Sequence, residues 1–240
     1  FLKKNKKLQF SEANIIVVEN AVVALQKIAT HHRRKFDIPV IGITGSNGKT
    51  IVKEWLYHIL RSQFNIIRSP KSYNSQVGVP LSILQMNRHH TLAIFEAGIS
   101  IPGEMKSLEE MIAPTLGLLT NIGTAHLRNF ESKASLINEK QILFNNCEYI
   151  YIDGKDKFTD LHIEKKGNHS KIKARWNGLD IKYQIPFFDQ AAIQNSLSCI
   201  AVLLKFGIEI NFITSKTISL PQIAFRLETR KGKDGNILIL

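Results

Sequence analysis

The residues best suited to chemistry form a short loop between an apolar run and a helical pattern. Residues 44–50 read Thr-Gly-Ser-Asn-Gly-Lys-Thr and follow the apolar residues 40–43. Glycines let a backbone curl so that several N–H groups point at one anion, and the helix that follows presents its positive end to that anion. Lys49 can then reach the terminal phosphates, and Thr50 can bind magnesium. The loop predicts a nucleotide site for ATP or GTP.

The spacing of this loop departs from the common phosphate-binding pattern at one position. The common pattern has four residues between its first glycine and the final Gly-Lys-Thr, which would require glycine at position 43. This chain has Ile43 there, with glycines at 42 and 45 instead. A glycine-rich turn that holds no nucleotide, or only a sulfate, is therefore an alternative interpretation. The strand and helix predicted on either side favour the phosphate loop.

The elements around the loop indicate an α/β fold with a mostly parallel, doubly wound sheet. Short apolar runs alternate with helix-like segments, which is typical of repeated strand–helix–strand units. The strands are predicted at residues 14–18, 40–44, 92–96, 116–121 and 149–152. Helices are predicted after the loop, near residues 103–112 and 132–146, and after Asn20, where the apolar face is Val22, Leu25, Ile28 and Ala29.

A smaller β-rich segment follows, and then another helix. Residues 153–185 are polar and alternating, with an Asn177-Gly178 pair that favours a hairpin turn. Apolar residues then recur at helical spacing from Ala192 to Leu204, with Gly207 as a stop. Residues 237–240 indicate a last strand.

Polar residues stand where several predicted strands end. Thr44, Glu96 and Asn121 each end a strand, and His126 follows shortly after. Because ligands of parallel sheets gather at the carboxyl ends of the strands, we expect these residues to share one site. A carboxylate there can hold magnesium directly or through water, although Glu96 could equally face a helix or be salt-bridged. A lone histidine such as His126 is ordinarily a core or surface residue, and a helix lysine such as Lys140 is ordinarily exposed.

The composition excludes several classes of protein. With 240 residues and 44% hydrophobic residues the chain can bury a large core, and no run approaches the roughly 20 apolar residues of a membrane span. The net charge of +12 suits an anionic partner, but the lysines are scattered, which argues against a nucleic-acid interface. Cys147 and Cys199 lack metal-ligand spacing and indicate core thiols of a cytoplasmic protein. Residue 1 is Phe1, which indicates a piece of a longer polypeptide.

Taken together, four motifs in order resemble the Mur ligase superfamily of ATP-dependent amide-forming enzymes. The matching segments are residues 43–50, residues 95–98 with 102–104, residues 120–127 with Phe130, and residues 139–140. The segment from Ser69 to Ser82 is similar to that of members that add D-alanyl-D-alanine to UDP-N-acetylmuramoyl-tripeptide in peptidoglycan synthesis. The resemblance implies this activity, and residues Tyr73, Asn74 and Ser75 as substrate-binding.

The resemblance also implies roles for the remaining motif residues. The ATP phosphates would be held by Thr44, Gly45, Ser46, Asn47, Gly48, Lys49 and Thr50. One magnesium ion would be held by Thr50 and Glu96 and a second by His126. Lys140 matches the lysine that family members carbamylate, which turns a cation into a metal-bridging anion. Asn195 would approach the adenine, and Arg226 would reach the nucleotide.

The segment before Asn195 departs from the family pattern. Many relatives have a His-Asn pair where this chain has Ala191-Ala192. This form resembles members fused to an alanine racemase, so a fused racemase is one expected partner. Because this segment lies near the expected adenine site, the departure affects the residues that would contact the base.

The resemblance implies a domain organisation and leaves other functions open. Residues 1–38 would be the tail of an N-terminal domain or a linker, and residues 39–240 the central ATP-binding domain. With the N- and C-terminal domains of the family missing, we expect nucleotide binding with little turnover. The alternatives are another Mur-type or folylpolyglutamate-synthase-like ligase, an unrelated phosphate-loop kinase or GTPase, and a non-enzymatic basic binding module.

Overall fold

A five-stranded parallel sheet positions the predicted nucleotide loop. The computed structural model of the chain describes residues 16–123, 127–152, 158–223, 229–231 and 237–239. The sheet has the order β2-β3-β1-β4-β5, and every neighbouring pair in it is parallel. Its strands are β1 (Val40–Thr44), β2 (Ile66–Arg68), β3 (Leu92–Glu96), β4 (Leu116–Leu119) and β5 (Tyr149–Ile152). The predicted parallel sheet is confirmed.

Helices cover both faces of this sheet, as the doubly wound prediction requires. The helices are α1 (Ala21–Arg33), α2 (Lys49–Leu60), α3 (Gly78–Ile83), α4 (Glu104–Ile112), α5 (Lys133–Gln141), α6 (Gln190–Lys205) and α7 (Ile210–Thr217). Short 3-10 turns lie at Leu127–Asn129 and Ile142–Phe144. Alternate strand residues enter opposite cores: Ile41 packs with α2 and α6, and Val40 with α3 and α4. No helix in the described part of the chain is long and apolar enough to cross a bilayer.

A three-stranded antiparallel sheet forms the smaller β-rich segment. It consists of β6 (Thr159–Lys166), β7 (His169–Trp176) and β8 (Leu179–Ile185). Asn177 and Gly178 link the last two strands with φ angles of 49° and 83°, the left-handed pair that a tight hairpin turn needs. Every second residue of β7 is buried, in one core with α6. A further antiparallel pair joins β9 (Thr229–Lys231) to β10 (Ile237–Ile239).

The first helix forms where it was predicted, but it buries a different face. The Asn20 side chain accepts hydrogen bonds from the backbone N–H groups of Val22 and Val23 at 2.9 and 3.1 Å. Ala29 is fully buried, whereas Ile28 is 52% exposed. The predicted face was therefore wrong at Ile28 and at Val22, which is also exposed, because α1 packs on α3 and α4 through a narrower stripe centred on Ala29.

The predicted strand before α1 is not formed in the part that the structure describes. Residues 16–18 have no strand conformation, and Asn14 and Ile15 lie outside the described residues. A strand requires a neighbour for its N–H and C=O groups, and no described strand pairs with this segment. The short strands β2 and β9 and the short helices α3 and α7 were not predicted.

Arg33 connects the C-terminal end of α1 to the C-terminal end of α4 through hydrogen bonds. Its guanidinium is buried, with Nε donating to the Ile112 carbonyl at 2.9 Å and Nη2 to the Ala113 carbonyl at 3.2 Å. The Phe36 carbonyl accepts a third bond, from Nη1, at 2.7 Å. These carbonyls include groups that the last turn of α4 leaves without helical partners. Burial lowers the pKa of the Arg33 guanidinium, but the group stays charged at any ordinary pH.

We expect Arg33→Met to lower the free energy of unfolding by about 2–3 kcal/mol, because buried carbonyls lose their donors. Urea denaturation followed by circular dichroism measures this change. Arg34→Met is the matched control, since Arg34 is the exposed neighbour at the same helix end. Equal stability of the two variants would contradict the role of Arg33.

Candidate nucleotide site

The loop after β1 has the backbone that a phosphate-binding turn needs. Gly48 has a φ of 84° and Gly45 a φ of 147°, both in the region that side chains disfavour. A Cβ at Gly48 would lie 2.4 Å from Asn195 Oδ1, and one at Gly45 would lie 2.0 Å from Thr120 Oγ1. Neither position accepts a side chain. Ile43, where the common pattern has glycine, is a buried residue of β1 and lies before the turn.

Lys49 begins α2 and folds back over the loop. Its Nζ donates to the Gly45 carbonyl at 2.8 Å and lies 3.5 Å from the Ser46 carbonyl. The ammonium therefore lies beside the positive N-terminus of a 12-residue helix. This arrangement attracts negative charge to the loop.

The segment after β4 supports the loop from the side. Ser46 N–H donates to the Asn121 carbonyl at 2.8 Å, and Thr120 Oγ1 donates to the Asn47 carbonyl at 2.6 Å. Asn121, predicted at this sheet edge from its position after a strand, thus contacts the loop through its backbone. His126 lies outside the described residues, so its predicted metal role remains a prediction.

Thr50 and Glu96 meet at the edge between α2 and β3. Thr50 Oγ1 lies 3.2 Å from Glu96 Oε2, and both side chains are buried. Thr44 Oγ1 is buried at the end of the neighbouring strand β1, and no described residue gives it a hydrogen bond. A carboxylate, a threonine hydroxyl and a second hydroxyl without a partner are oxygen donors of the kind that magnesium prefers. The residues present therefore fit a magnesium ion here.

Lys53, which the sequence analysis did not select, forms an ion pair with Glu96. Its Nζ lies 3.0 Å from Glu96 Oε1, and both side chains are 0% exposed. The sequence contains a signal for it: Lys53 lies three residues before Leu56 and seven before Leu60, on the predicted apolar face of α2. A lysine on such a face needs a buried partner.

Lys140 lies next to Lys49 rather than in solvent. It is 1% exposed, and its Nζ donates to the Gly45 carbonyl at 3.1 Å. Burial, together with the charge of Lys49, lowers the pKa of the Lys140 amine to about 8. Near neutral pH an appreciable fraction of this amine is therefore uncharged and nucleophilic. The preceding residue, Glu139, accepts hydrogen bonds from N–H groups at the start of α4.

A pocket of about 590 Å³ opens beside the loop and suits a planar base. Asn195 and Gly48 line it on the loop side. Trp55 and Phe187 stack in its wall with ring centroids 5.2 Å apart and an interplanar angle of 24°. Asn195 thus lies next to both the loop and the pocket, and its approach to the adenine stays a prediction. Arg226 lies outside the described residues.

Ala191 and Ala192 line the same pocket, at the start of α6. The Asp189 side chain caps this helix by accepting from Ala192 N–H at 2.8 Å. Two methyl groups replace the polar side chains expected there, so contacts to the base edge must come from other lining residues. Besides Asn195, uncharged polar residues of the pocket on or near this helix are Gln194 and Gln222.

Of the three residues predicted to bind substrate, Asn74 lies beside Glu96. Asn74 Nδ2 is 3.5 Å from Glu96 Oε2, and Tyr73 is exposed. Ser75 Oγ accepts from the N–H groups of Val77 and Gly78, which caps the short helix α3. The structure thus brings Asn74 to the carboxylate and gives Ser75 a local structural contact.

Both cysteines are free, and neither lies among the residues described above as the site. Cys199 is buried in the core on the α2 side of the sheet, and burial raises the pKa of its thiol. Burial and the charge of Glu109 raise the pKa of the half-buried Cys147 to about 12. The prediction of unpaired core thiols is confirmed for Cys199, whereas Cys147 packs at the core's margin.

Comparison with known proteins gives one family model and several relatives. The model of the Mur ligase middle domain matches residues 43–171, just over half of the chain. A UDP-N-acetylmuramoyl-tripeptide–D-alanyl-D-alanine ligase of Bacillus subtilis is 26% identical over 94% of this chain and 54% of its own length. The ligase of the same name from Synechocystis is 38% identical over 70% of this chain and 36% of its own length. The chain thus spans about a third to a half of these relatives.

Solved structures share the fold. MurF from Acinetobacter baumannii superposes with a TM-score of 0.81 at 21% identity, covering 92% of this chain and 55% of that one. MurF ligase from Thermotoga maritima, solved in complex with ADP, gives 0.79 at 22% identity, covering 91% and 57%.

Proposed function

Since this chain belongs to the Mur ligase family, we propose that it is the ATP-binding part of an enzyme that joins D-alanyl-D-alanine to UDP-N-acetylmuramoyl-tripeptide. The observation that carries this proposal is the convergence of Lys49, the Thr50–Glu96 pair and the Asn195 pocket at one sheet edge. The names of the matched relatives supply the substrates. Residues 39–240 would form the central domain and residues 1–38 the end of the preceding one.

The reaction must first activate a carboxylate, which is a poor acyl donor in water. The substrate carboxylate attacks the γ-phosphorus of ATP, ADP leaves, and an acyl phosphate forms. The amine of D-alanyl-D-alanine then attacks the acyl carbon, and inorganic phosphate leaves with the bonding electrons. Both steps bring anions together, so catalysis depends on placing them and neutralising their charge.

Different residues of this chain would place the reacting anions and neutralise their charge. The loop amides and the Lys49 ammonium hold the phosphates, and the pocket beside Asn195 orients the base. Thr50 and Glu96 would hold a magnesium ion, which supplies positive charge to the phosphate oxygens when bound. The predicted second ligand set includes His126 and a carbamylated Lys140. The activity would take place in the cytoplasm, in agreement with the proposed substrates ATP and UDP-sugar.

Phosphate release by the full-length protein tests the proposal. We expect release from ATP to require both UDP-N-acetylmuramoyl-tripeptide and D-alanyl-D-alanine, with the amide product detected by mass spectrometry. This chain alone should bind Mg·ADP but give little turnover. Release that ignored the dipeptide and responded to a single amino acid or to glutamate would favour another Mur-type ligase or a folylpolyglutamate-synthase-like enzyme. A fused alanine racemase stays a prediction from residues 191–192.

The depressed pKa of Lys140 gives a pH-dependent prediction. Only the neutral amine reacts with carbon dioxide, so a carbamate on Lys140 should grow as pH rises through about 8 and vanish well below it. Carbon-13 NMR in labelled bicarbonate measures the signal. Lys140→Arg should abolish it, and exposed Lys106→Arg should leave it unchanged. A signal that Lys140→Arg retained would contradict the assignment.

A further inference from the structure

The buried ammonium of Lys53 connects three separate segments of the chain. Besides Glu96 on β3, it contacts Glu54 Oε1 at 3.1 Å on its own helix. It also donates to the backbone carbonyl of Ser69 at 2.8 Å and to that of Lys71. An ammonium has three N–H groups, and here four oxygen atoms surround it. Neutralising Glu96 alone would not require the two backbone contacts.

Those carbonyls belong to residues 69–74, the turn that leads from β2 to the predicted substrate residues. The start of this turn is bound to β3, since Ser69 Oγ accepts from Glu96 N–H at 3.2 Å. Its end is bound there as well, since the Asn74 carbonyl accepts from Gly98 N–H at 2.8 Å. Lys53 contacts the middle of the turn, at Lys71.

The backbone at Lys71 needs such support. Its φ is 49°, in the left-handed region that a residue with a Cβ disfavours. The Lys71 side chain is exposed and offers no packing of its own. The contact from Lys53 to the Lys71 carbonyl therefore favours the conformation that carries Asn74 to Glu96.

We propose that Lys53 is a positioning residue that fixes residues 69–74 to the nucleotide-binding helix α2. Lys49 and Thr50 face the nucleotide from the first turn of this helix, and Lys53 lies one turn further along. The same helix thereby sets the places of the phosphates and of Asn74. This inference rests on the proposed function, because it makes Asn74 part of the site for the carboxylate that accepts the phosphoryl group.

Asn74 favours the carboxylate substrate over the amine. Its side-chain amide lies 3.5 Å from Glu96 Oε2, on the side of the carboxylate that also meets Thr50. In the proposed reaction Thr50 and Glu96 lie beside the terminal phosphate, so the group closest to that point would be the accepting carboxylate. We therefore assign the turn held by Lys53 to UDP-N-acetylmuramoyl-tripeptide.

Limited trypsin digestion of the full-length protein tests the positioning without relying on ligase activity. Trypsin cuts after Lys71 when residues 69–74 detach from α2 and β3. Mass spectrometry gives the rate of that cleavage. The informative pair is Glu96→Gln against the double variant Lys53→Met/Glu96→Gln. Neither protein contains a buried Glu96 charge, and only the first retains the Lys53 contacts to the turn.

We expect the double variant to be cut after Lys71 at least tenfold faster than Glu96→Gln. Its affinity for ADP without magnesium should stay within twofold of that of Glu96→Gln. Val52→Ala, a change at a fully buried residue next to Lys53 in the core between α2 and α6, serves as a control for general loosening. Equal rates in the pair, or a rise at all sites like that of Val52→Ala, would overturn the proposal.

Kinetics of Lys53→Met in the full-length protein then separate positioning from general damage. We expect the KM for UDP-N-acetylmuramoyl-tripeptide to rise at least tenfold, with the KM for D-alanyl-D-alanine changed less than threefold. A fall in kcat with no change in any KM would contradict the assignment to the carboxylate substrate. A protein without ligase activity would refute the proposed function, while the digestion would still decide the role of Lys53.

Discussion

Lys49→Ala should lower the ATP-dependent turnover of the full-length protein about a hundredfold to a thousandfold, the range measured when one preorganised charge-stabilising group is removed. The ammonium lies at the loop, 2.8 Å from the Gly45 carbonyl, at the positive end of α2. Charge develops on the phosphate oxygens there, and no solvent reorganisation is needed to meet it. Steady-state phosphate release measures the loss, and calorimetry with an ATP analogue measures the accompanying fall in affinity.

Lys106→Ala is the control for this prediction. Lys106 lies on α4 and is exposed, so its removal changes the net charge by the same amount without touching the loop. Turnover should stay within twofold of the unmodified protein. If Lys49→Ala behaved like Lys106→Ala, the loop would be a structural turn, and the alternative raised by the Ile43 spacing would be correct.

Lys53→Met should lower the free energy of unfolding by about 3–5 kcal/mol, because it leaves the fully buried Glu96 carboxylate without its charge partner. The double variant Lys53→Met/Glu96→Gln should recover most of this loss, since no buried charge remains. Glu54, the other carboxylate at Lys53, retains its ion pair with Arg68 at 3.0 Å. Urea denaturation of this chain measures all three proteins.

The recovery of unfolding free energy in the double variant distinguishes the effect of the buried charge from the effect of the side-chain volume. Methionine and lysine have similar length, so a loss due only to packing would be the same with Glu96 or with Gln at position 96. Equal stability of the single and double variants would show that Glu96 tolerates burial without Lys53. The carboxylate would then be protonated or hydrated in the folded protein.

The parts of the fold that could be predicted are those whose pattern is long and local. Strands β1, β3, β4 and β5 are apolar runs of four or five residues, and the Asn177-Gly178 pair specifies its turn through its own backbone preferences. Strand β2 has three residues and α3 has six, which is too short for periodicity to appear. The buried stripe of α1 depends on α3 and α4, so its own sequence could not define it.

The same division applies to the candidate site. The loop carries its geometry in its residue types, because glycine alone accepts the angles at 45 and 48. The burial of Lys140 and Lys53 depends on elements distant in the sequence, so a helix pattern made the first an ordinary surface lysine and did not select the second. The contact between Thr50 and Glu96 joins residues 46 positions apart. Only the expectation that strand ends converge on one edge could place them together.

The carbonyl oxygen of Gly45 is bound by two ammonium groups, those of Lys49 and Lys140. Two like charges at one oxygen repel each other, and this repulsion adds to the effect of burial in lowering the pKa of Lys140. While Lys140 carries no carbamate, a polyphosphate that reaches both groups would remove this repulsion in addition to attracting each group separately. The ratio of the affinity for a triphosphate to that for a monophosphate should consequently be larger than Lys49 alone would produce. Part of the selectivity of the loop then originates in the repulsion between two cations of the unliganded protein.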